Sequence, residues 1–250
     1  MIPARKSPLG QSWVWWLIDH SLRKYFDRIF FRMRYMPSAE EKALPIIACA
    51  NHFSWWDGYI AAIVERQLKV DNYLMMEEAQ LKRYSFFTWA GCFSVDRHDP
   101  RSVMQSLHYA ARLLKERPGR MVWLFPQGEL FPNDRRPLVF LSGALHLARM
   151  AYPVLLYPVA ARIEYMGEQR PGLFISLGAP MQVNEAEVRA SGFLKVYTRR
   201  LEELVTAELD QLRADVLACD YTSFTQIVQG RPSAHRIFDM LLLRKQLKRQ

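Results

Sequence analysis

The stretch Pro45-Ile46-Ile47-Ala48-Cys49-Ala50-Asn51-His52-Phe53-Ser54-Trp55-Trp56-Asp57 decides how the chain is read. Its first half, PIIACA, is a short unbroken apolar run, the pattern of a strand buried on both faces. The chain turns polar at Asn51, and from Trp56 to Leu68 the pattern is helical. A buried strand feeding a helix is the unit of a parallel sheet, and in open sheets of that kind sites are built beyond the strand ends. His52 stands there, followed in the same turn by Asp57. An imidazole can take a proton from a hydroxyl near neutral pH, and a carboxylate on its other nitrogen fixes the tautomer and stabilises the imidazolium. Read alone, the pair is also what a helix-capping Asp57 beside an unrelated His52 would leave.

Outward from this stretch the alternation continues. Tyr73–Met76, Phe93–Val95, Met121–Phe125, Val154–Ala160 and Leu173–Leu177 read as strands, and Arg101–Glu116 and Leu141–Met150 as helices. This predicts an α/β fold, an αβα sandwich around a largely parallel or mixed sheet. At the amino end, Trp15, Ile18, Leu22, Tyr25 or Phe26, Ile29 and Met33 recur at helical spacing, with Arg23, Lys24, Arg28, Arg32 and Arg34 as the polar side. That spacing predicts one amphipathic helix over 13–35, ended by Pro37. The expected organisation is a membrane-associating helix in 1–37, a core in 38–192, and a helical region in 193–250 packed on the core. Gly230 and Pro232 are expected to break that last region before the basic LLLRKQLKRQ.

With 250 residues, half of them hydrophobic, the composition is that of a folded domain and not of a disordered chain. A net charge of +9 favours a polyanionic partner. No recognised nucleic-acid motif is present, so an anionic membrane surface is the expected partner and nucleic acid is not. Cys49, Cys92 and Cys219 are odd in number and far apart, which argues against a disulfide framework and fits a reducing compartment. The apolar run from Trp13 to Ile18 stops at Asp19, and no segment reaches roughly 18 uncharged apolar residues. The expectation is a cytoplasmic, peripheral membrane protein.

Two further clusters lie just past predicted strands. In Gly91-Cys92-Phe93-Ser94-Val95-Asp96-Arg97, the arginine can present a fork of donors to a phosphate, or simply pair with a nearby acid. In Phe125-Pro126-Gln127-Gly128-Glu129, the glycine can bring a backbone N–H close to a substrate, where such groups hold an oxyanion; an ordinary turn has the same composition.

The order of these blocks, NHxxxxD at 51–57, GxxxxxR at 91–97, FPxG at 125–128, then Leu155-Leu156-Tyr157-Pro158-Val159, resembles the glycerolipid acyltransferases, which include the lysophosphatidic acid acyltransferases. The resemblance covers roughly residues 45–180. It implies His52 as general base and Asp57 as its orienting partner. It implies acceptor binding by Arg97, and an acceptor pocket shaped by Phe125, Pro126, Gln127, Gly128 and Glu129. It also implies an acyl-CoA or acyl-carrier-protein donor, no metal, no cofactor and no covalent acyl-enzyme. Lysophosphatidic acid is then the first acceptor to expect.

The third block departs from the family's FPEGTR: Gln127 stands for the glutamate, Glu129 for the threonine and Leu130 for the arginine. A phosphate-contacting cation is missing from its usual place, with Arg135 and Arg136 as possible substitutes. The departures motivate a second acceptor class, a non-phosphate lipid alcohol such as a glycosylated isoprenoid or an amino-acid lipid. A nucleophilic mechanism would need Cys49, which falls in a buried strand, or Ser54, which reads as a helix cap. A zinc site from Cys49, His52, Cys92 and His98 matches no common ligand spacing. A non-catalytic membrane-binding relative would have no need of the His52–Asp57 pair. The sequence leaves oligomeric state open.

Overall fold

In a computed structural model, which describes residues 1–232 and Phe238, PIIACA is the central strand of the sheet. In chain order the elements are α1 (Pro8–Tyr25), β1 (Arg28–Met33), β2 (Ile46–Ala50), α2 (Asp57–Leu68), β3 (Asp71–Glu77), α3 (Glu78–Arg83) and β4 (Cys92–Val95). They continue with α4 (Pro100–Glu116), β5 (Arg120–Leu124), α5 (Gly143–Ala151), β6 (Val154–Glu164), β7 (Gly172–Leu177) and β8 (Met181–Val183). The last are α6 (Glu185–Arg189), α7 (Phe193–Leu217) and β9 (Thr225–Gln229). The strand order is β4-β3-β5-β2-β6-β7-β1-β9, with β8 paired to β6. The block from β4 to β6 is parallel throughout; β7 and β8 run antiparallel to β6, and β9 antiparallel to β1.

Two layers cover the sheet because alternate residues of its central strands point to opposite faces. Ile47 and Cys49 of β2, Val122 and Leu124 of β5 and Leu156 of β6 pack with α4, α5 and the start of α7. Ile46, Ala48, Met121, Trp123, Leu155 and Tyr157 pack on the other face with Val14, Ile18 and Leu22 of α1 and Ile60, Ile63 and Val64 of α2. The αβα sandwich expected from the sequence is therefore the fold observed.

The amino-terminal expectation is corrected. The helix runs over Pro8–Tyr25, capped by Ser7, whose side chain accepts from the Gly10 N–H, with Pro8 in its first turn. It ends at Phe26, whose backbone is extended. Residues 28–33 are not its continuation but β1, parallel to β7 through Arg28↔Gly172 to Met33↔Leu177. Ile29 and Met33 are four apart, which suits a helix, but Ile29, Phe31 and Met33 also alternate, which suits a strand. Pairing on both sides, with β7 and β9, decides for the strand.

Arg32, on β1, is buried against Ser176 of β7 and Glu208 and Asp215 of α7, and Glu208 also accepts from Ser176. These contacts join β1, β7 and α7, and Val14, Ile18 and Leu22 of α1 pack on the sheet, so α1 and β1 are both parts of the sandwich. At the carboxyl end α7 is one long helix, followed by β9, a strand that the sequence reading did not contain. The basic stretch Leu241–Gln250 lies outside the described residues. Among the described residues no helix is long and apolar enough to cross a membrane.

Leu22→Ala removes a fully buried side chain and should cost about 2–5 kcal/mol. A chain starting at Ser38 loses β1 from between β7 and β9 and should show no cooperative melt by circular dichroism. A truncated chain melting like the full one would show that β1 is dispensable.

Candidate active site

The loops after β2, β4 and β5 leave the same, carboxyl edge of the sheet, because those strands are parallel. Asp57 is the first residue of α2 and is 2 % exposed. Its Oδ2 accepts the Phe53 N–H at 2.8 Å and the Ser54 N–H at 3.1 Å, and lies 2.6 Å from His52 Nδ1. The Ser54 hydroxyl donates to Oδ1 at 3.2 Å. An ionised carboxylate only accepts, so His52 Nδ1 carries the proton and Nε2 is left with a lone pair. The His52 side chain is a quarter exposed, and its ring stacks on Phe125 with centroids 4.3 Å apart and planes 18° apart. This imidazole is held by an acid on one nitrogen, packed on one face and able to accept a proton on the other nitrogen.

The third block supports the same loop from β5. Gln127 Oε1 accepts the His52 backbone N–H at 2.8 Å, and the Phe131 N–H donates to His52 O at 2.8 Å. Gly128 has φ +73°, a conformation that glycine adopts without strain, and a Cβ there would lie 3.0 Å from Leu141 Cδ1. Its own N–H, expected to face a substrate, instead donates to Phe125 O at 3.0 Å and closes the turn. Pro126 is buried, and its carbonyl accepts from the Leu141 N–H at 2.8 Å.

Arg97, past the end of β4, reaches across the end of β3 to this turn. Its Nη1 donates to Gly128 O at 2.6 Å and lies 3.2 Å from Glu129 Oε1. All eight residues singled out from the sequence, His52, Asp57, Arg97, Phe125, Pro126, Gln127, Gly128 and Glu129, thus fall in one connected cluster. Of the two possible substitute cations, Arg136 pairs with Asp210, while Arg135 lies over the Phe131 ring.

Asn51 went unassigned in the sequence reading. Its side chain continues the β2–β6 ladder with both groups, accepting from Ala161 N at 2.9 Å and donating to Ala161 O at 3.0 Å. It also donates to Asn133 Oδ1 at 2.8 Å, tying β2, β6 and the third-block loop together. Its place at the end of an apolar run and its place at the head of the NHxxxxD block were the signals available. Ser54, expected as the helix cap, lies ahead of Trp56, the residue at the N-cap of α2; its Oγ accepts the Trp56 N–H while donating to Asp57, so the hydroxyl is engaged on both sides. Cys49 is buried in β2, and burial pushes its thiol well above the ordinary range, which leaves it a core residue and not a nucleophile. Among the described residues no three potential metal ligands converge.

Fold and loops together define an α/β protein with a His–Asp pair at the carboxyl end of its central parallel strand. The chain belongs to the Acyltransferase family, the phospholipid/glycerol acyltransferase domain, which matches residues 32–162. That match takes in β2 and its loop, the Arg97 segment and the third block. No curated protein matches the chain. Family membership supports an acyltransferase acting in lipid metabolism.

Asp57→Asn replaces one accepting oxygen by a donor amide, in a site where backbone N–H groups and His52 Nδ1 all donate. Turnover in an acyl-transfer assay should fall by roughly a hundred- to ten-thousand-fold, with the fold retained by circular dichroism. Turnover within a few-fold of wild type would show that the carboxylate only holds the 52–54 loop in place.

Proposed function

We propose that this protein transfers a fatty acyl group from an acyl-CoA or acyl-carrier-protein thioester to the hydroxyl of a membrane lipid, with His52 as general base. The observation that carries this reading is the 2.6 Å contact of His52 Nδ1 with the buried Asp57 carboxylate, which leaves Nε2 as acceptor. In the reaction, Nε2 takes the proton of the acceptor hydroxyl as its oxygen attacks the thioester carbonyl. Asp57 stabilises the imidazolium that forms. The tetrahedral intermediate collapses, the C–S bond breaks, and the imidazolium returns its proton to the leaving thiolate. Backbone N–H groups of the third block beyond Gly128 are the proposed oxyanion donors. No enzyme nucleophile enters: the Ser54 hydroxyl is engaged on both sides and Cys49 is buried.

A lipid acceptor brings the site to a bilayer, and the surface beside the site supports this. α1 turns Val14, Ile18 and Leu22 into the core, yet its opposite face exposes Leu9, Trp13 and Trp16, followed by His20, Arg23 and Lys24. Trp89 is exposed beside Trp13, and Trp55, in the His52–Asp57 loop, is 61 % exposed. Exposed tryptophans favour the headgroup level and cations favour anionic lipid. The proposed membrane contact is therefore the outer face of α1 and not the buried stripe that the helical spacing singled out.

The acceptor has two readings. Family resemblance puts lysophosphatidic acid first; the ion pair between Arg97 and Glu129 favours the second, a lipid alcohol without phosphate.

His52→Ala should lower turnover by roughly a hundred- to ten-thousand-fold with labelled acyl-CoA and a panel of lipid alcohols. A folded His52→Ala protein with near wild-type turnover would end the general-base proposal. Separately, the full chain should float with anionic liposomes, less so at high salt. The double variant Trp13→Ala, Trp16→Ala should stay largely in the bottom fraction. Flotation unchanged by the double variant, or absent in the wild type, would remove this face as the membrane contact.

A further inference from the structure

The Arg97 guanidinium is the strongest candidate among the described residues for binding an acceptor phosphate, since it stands on the third block beside His52. Its geometry suits a different task. Nη1 is held by the Gly128 carbonyl at 2.6 Å, and the same nitrogen lies 3.2 Å from the Glu129 carboxylate. An exposed ion pair on its own is weak, and a phosphate could displace it. The Gly128 contact changes the balance, because it fixes the guanidinium to the turn on which Glu129 sits. A phosphate approaching Arg97 would meet the carboxylate at the same time, and like charges at such range oppose binding.

Among the described residues the neighbours offer no replacement at this place. Gln127 is uncharged and turned to the His52 N–H, Leu130 is exposed, and Leu141 lies against the Gly128 turn. Arg136 is engaged by Asp210, and Arg135 lies over the Phe131 ring. A carboxylate that keeps lone pairs free at the rim is, by contrast, a good acceptor for hydroxyl protons.

We propose that Glu129, paired with Arg97 on the Gly128 turn, selects an uncharged polyol headgroup, a glycerol or sugar carried on a lipid, and disfavours an acceptor bearing phosphate. The inference rests on the acyl-transfer reading and narrows its acceptor. Arg97 then acts as a positioning residue for the turn, and Glu129 as the residue that discriminates between acceptors.

The test compares 1-monoacylglycerol with lysophosphatidate of the same chain, which differ only in the phosphate. The full chain is assayed in mixed micelles with one acyl-CoA, and both thiol release and acylated product are followed. The wild type should favour the neutral acceptor by tenfold or more in kcat/KM. Glu129→Gln keeps the shape and removes the charge; it should shift that ratio at least tenfold toward lysophosphatidate, chiefly through the KM of the phosphate acceptor. Arg135→Ala should leave the ratio unchanged. A wild type that prefers lysophosphatidate, a ratio unmoved by Glu129→Gln, or a ratio that collapses in Arg135→Ala would overturn the assignment while leaving acyl transfer intact. Absence of acyl-dependent thiol release with every acceptor would instead overturn the acyl-transfer reading itself.

Discussion

The site depends on one buried carboxylate. Asp57 is almost wholly removed from water, and it is balanced by four donors, all from the segment 52–54. A carboxylate buried without such partners would be costly, so the loop is folded around the charge as much as the charge is held by the loop. Two of the donors are backbone N–H groups, which places the chain between β2 and α2 in one conformation. His52 is therefore oriented twice over, through its own Nδ1 contact and through the backbone that carries it.

That local constraint spreads because the neighbouring loops bind the same few backbone groups. Gln127 and Phe131 take the His52 N–H and carbonyl, Asn51 holds Ala161 and Asn133, and Arg97 holds Gly128. The contacts join the loops after β2, β4 and β5 to one another and, through Asn51, to Ala161 within β6, so the four strands share one set of ties. Most of these contacts end on main-chain atoms. Side chains that secure backbone position a site more firmly than side chains that only touch one another, because the partner has no rotamers to escape into. Positions 97 and 127 can thus matter to the geometry of His52 without touching a substrate.

Much of this was legible in the sequence because it rests on local patterns. PIIACA reads as a buried strand since apolar residues occupy both of its faces, and Asp57 follows His52 at a distance that one turn closes. The boundary between α1 and β1 was not legible, because Ile29 and Met33 fit both periods and the deciding partners, Gly172–Leu177 and Thr225–Gln229, lie far along the chain. β9 was missed for a related reason: Thr225–Gln229 is short and largely polar, and it is a strand only because β1 offers it an edge. The role of Asn51 was hidden too, since nothing in the spacing shows that Ala161 lies alongside. For Arg97 the sequence left open both a phosphate and a nearby acid as partner, and it is Glu129 that stands beside it.

The amino-terminal segment carries the last consequence of the fold. Its apolar residues face two ways: Val14, Ile18 and Leu22 inward, Leu9, Trp13 and Trp16 outward. Burial inside the protein accounts for the first set; among the described residues the ring contacts of the second are those of Trp13 with Phe86 and Trp89 and of Trp16 with His20 on the same helix. The helix ends at Tyr25 and Phe26, whose rings meet Trp56, and Trp56 adjoins Asp57. The proposed membrane face and the His–Asp loop are therefore connected through packed aromatic side chains and not through a flexible linker. On that geometry, docking α1 on a bilayer would also set the height of His52 above it. The helix that would fix this height also covers one face of the sheet through Val14, Ile18 and Leu22, which is why the segment cannot be treated as a detachable anchor.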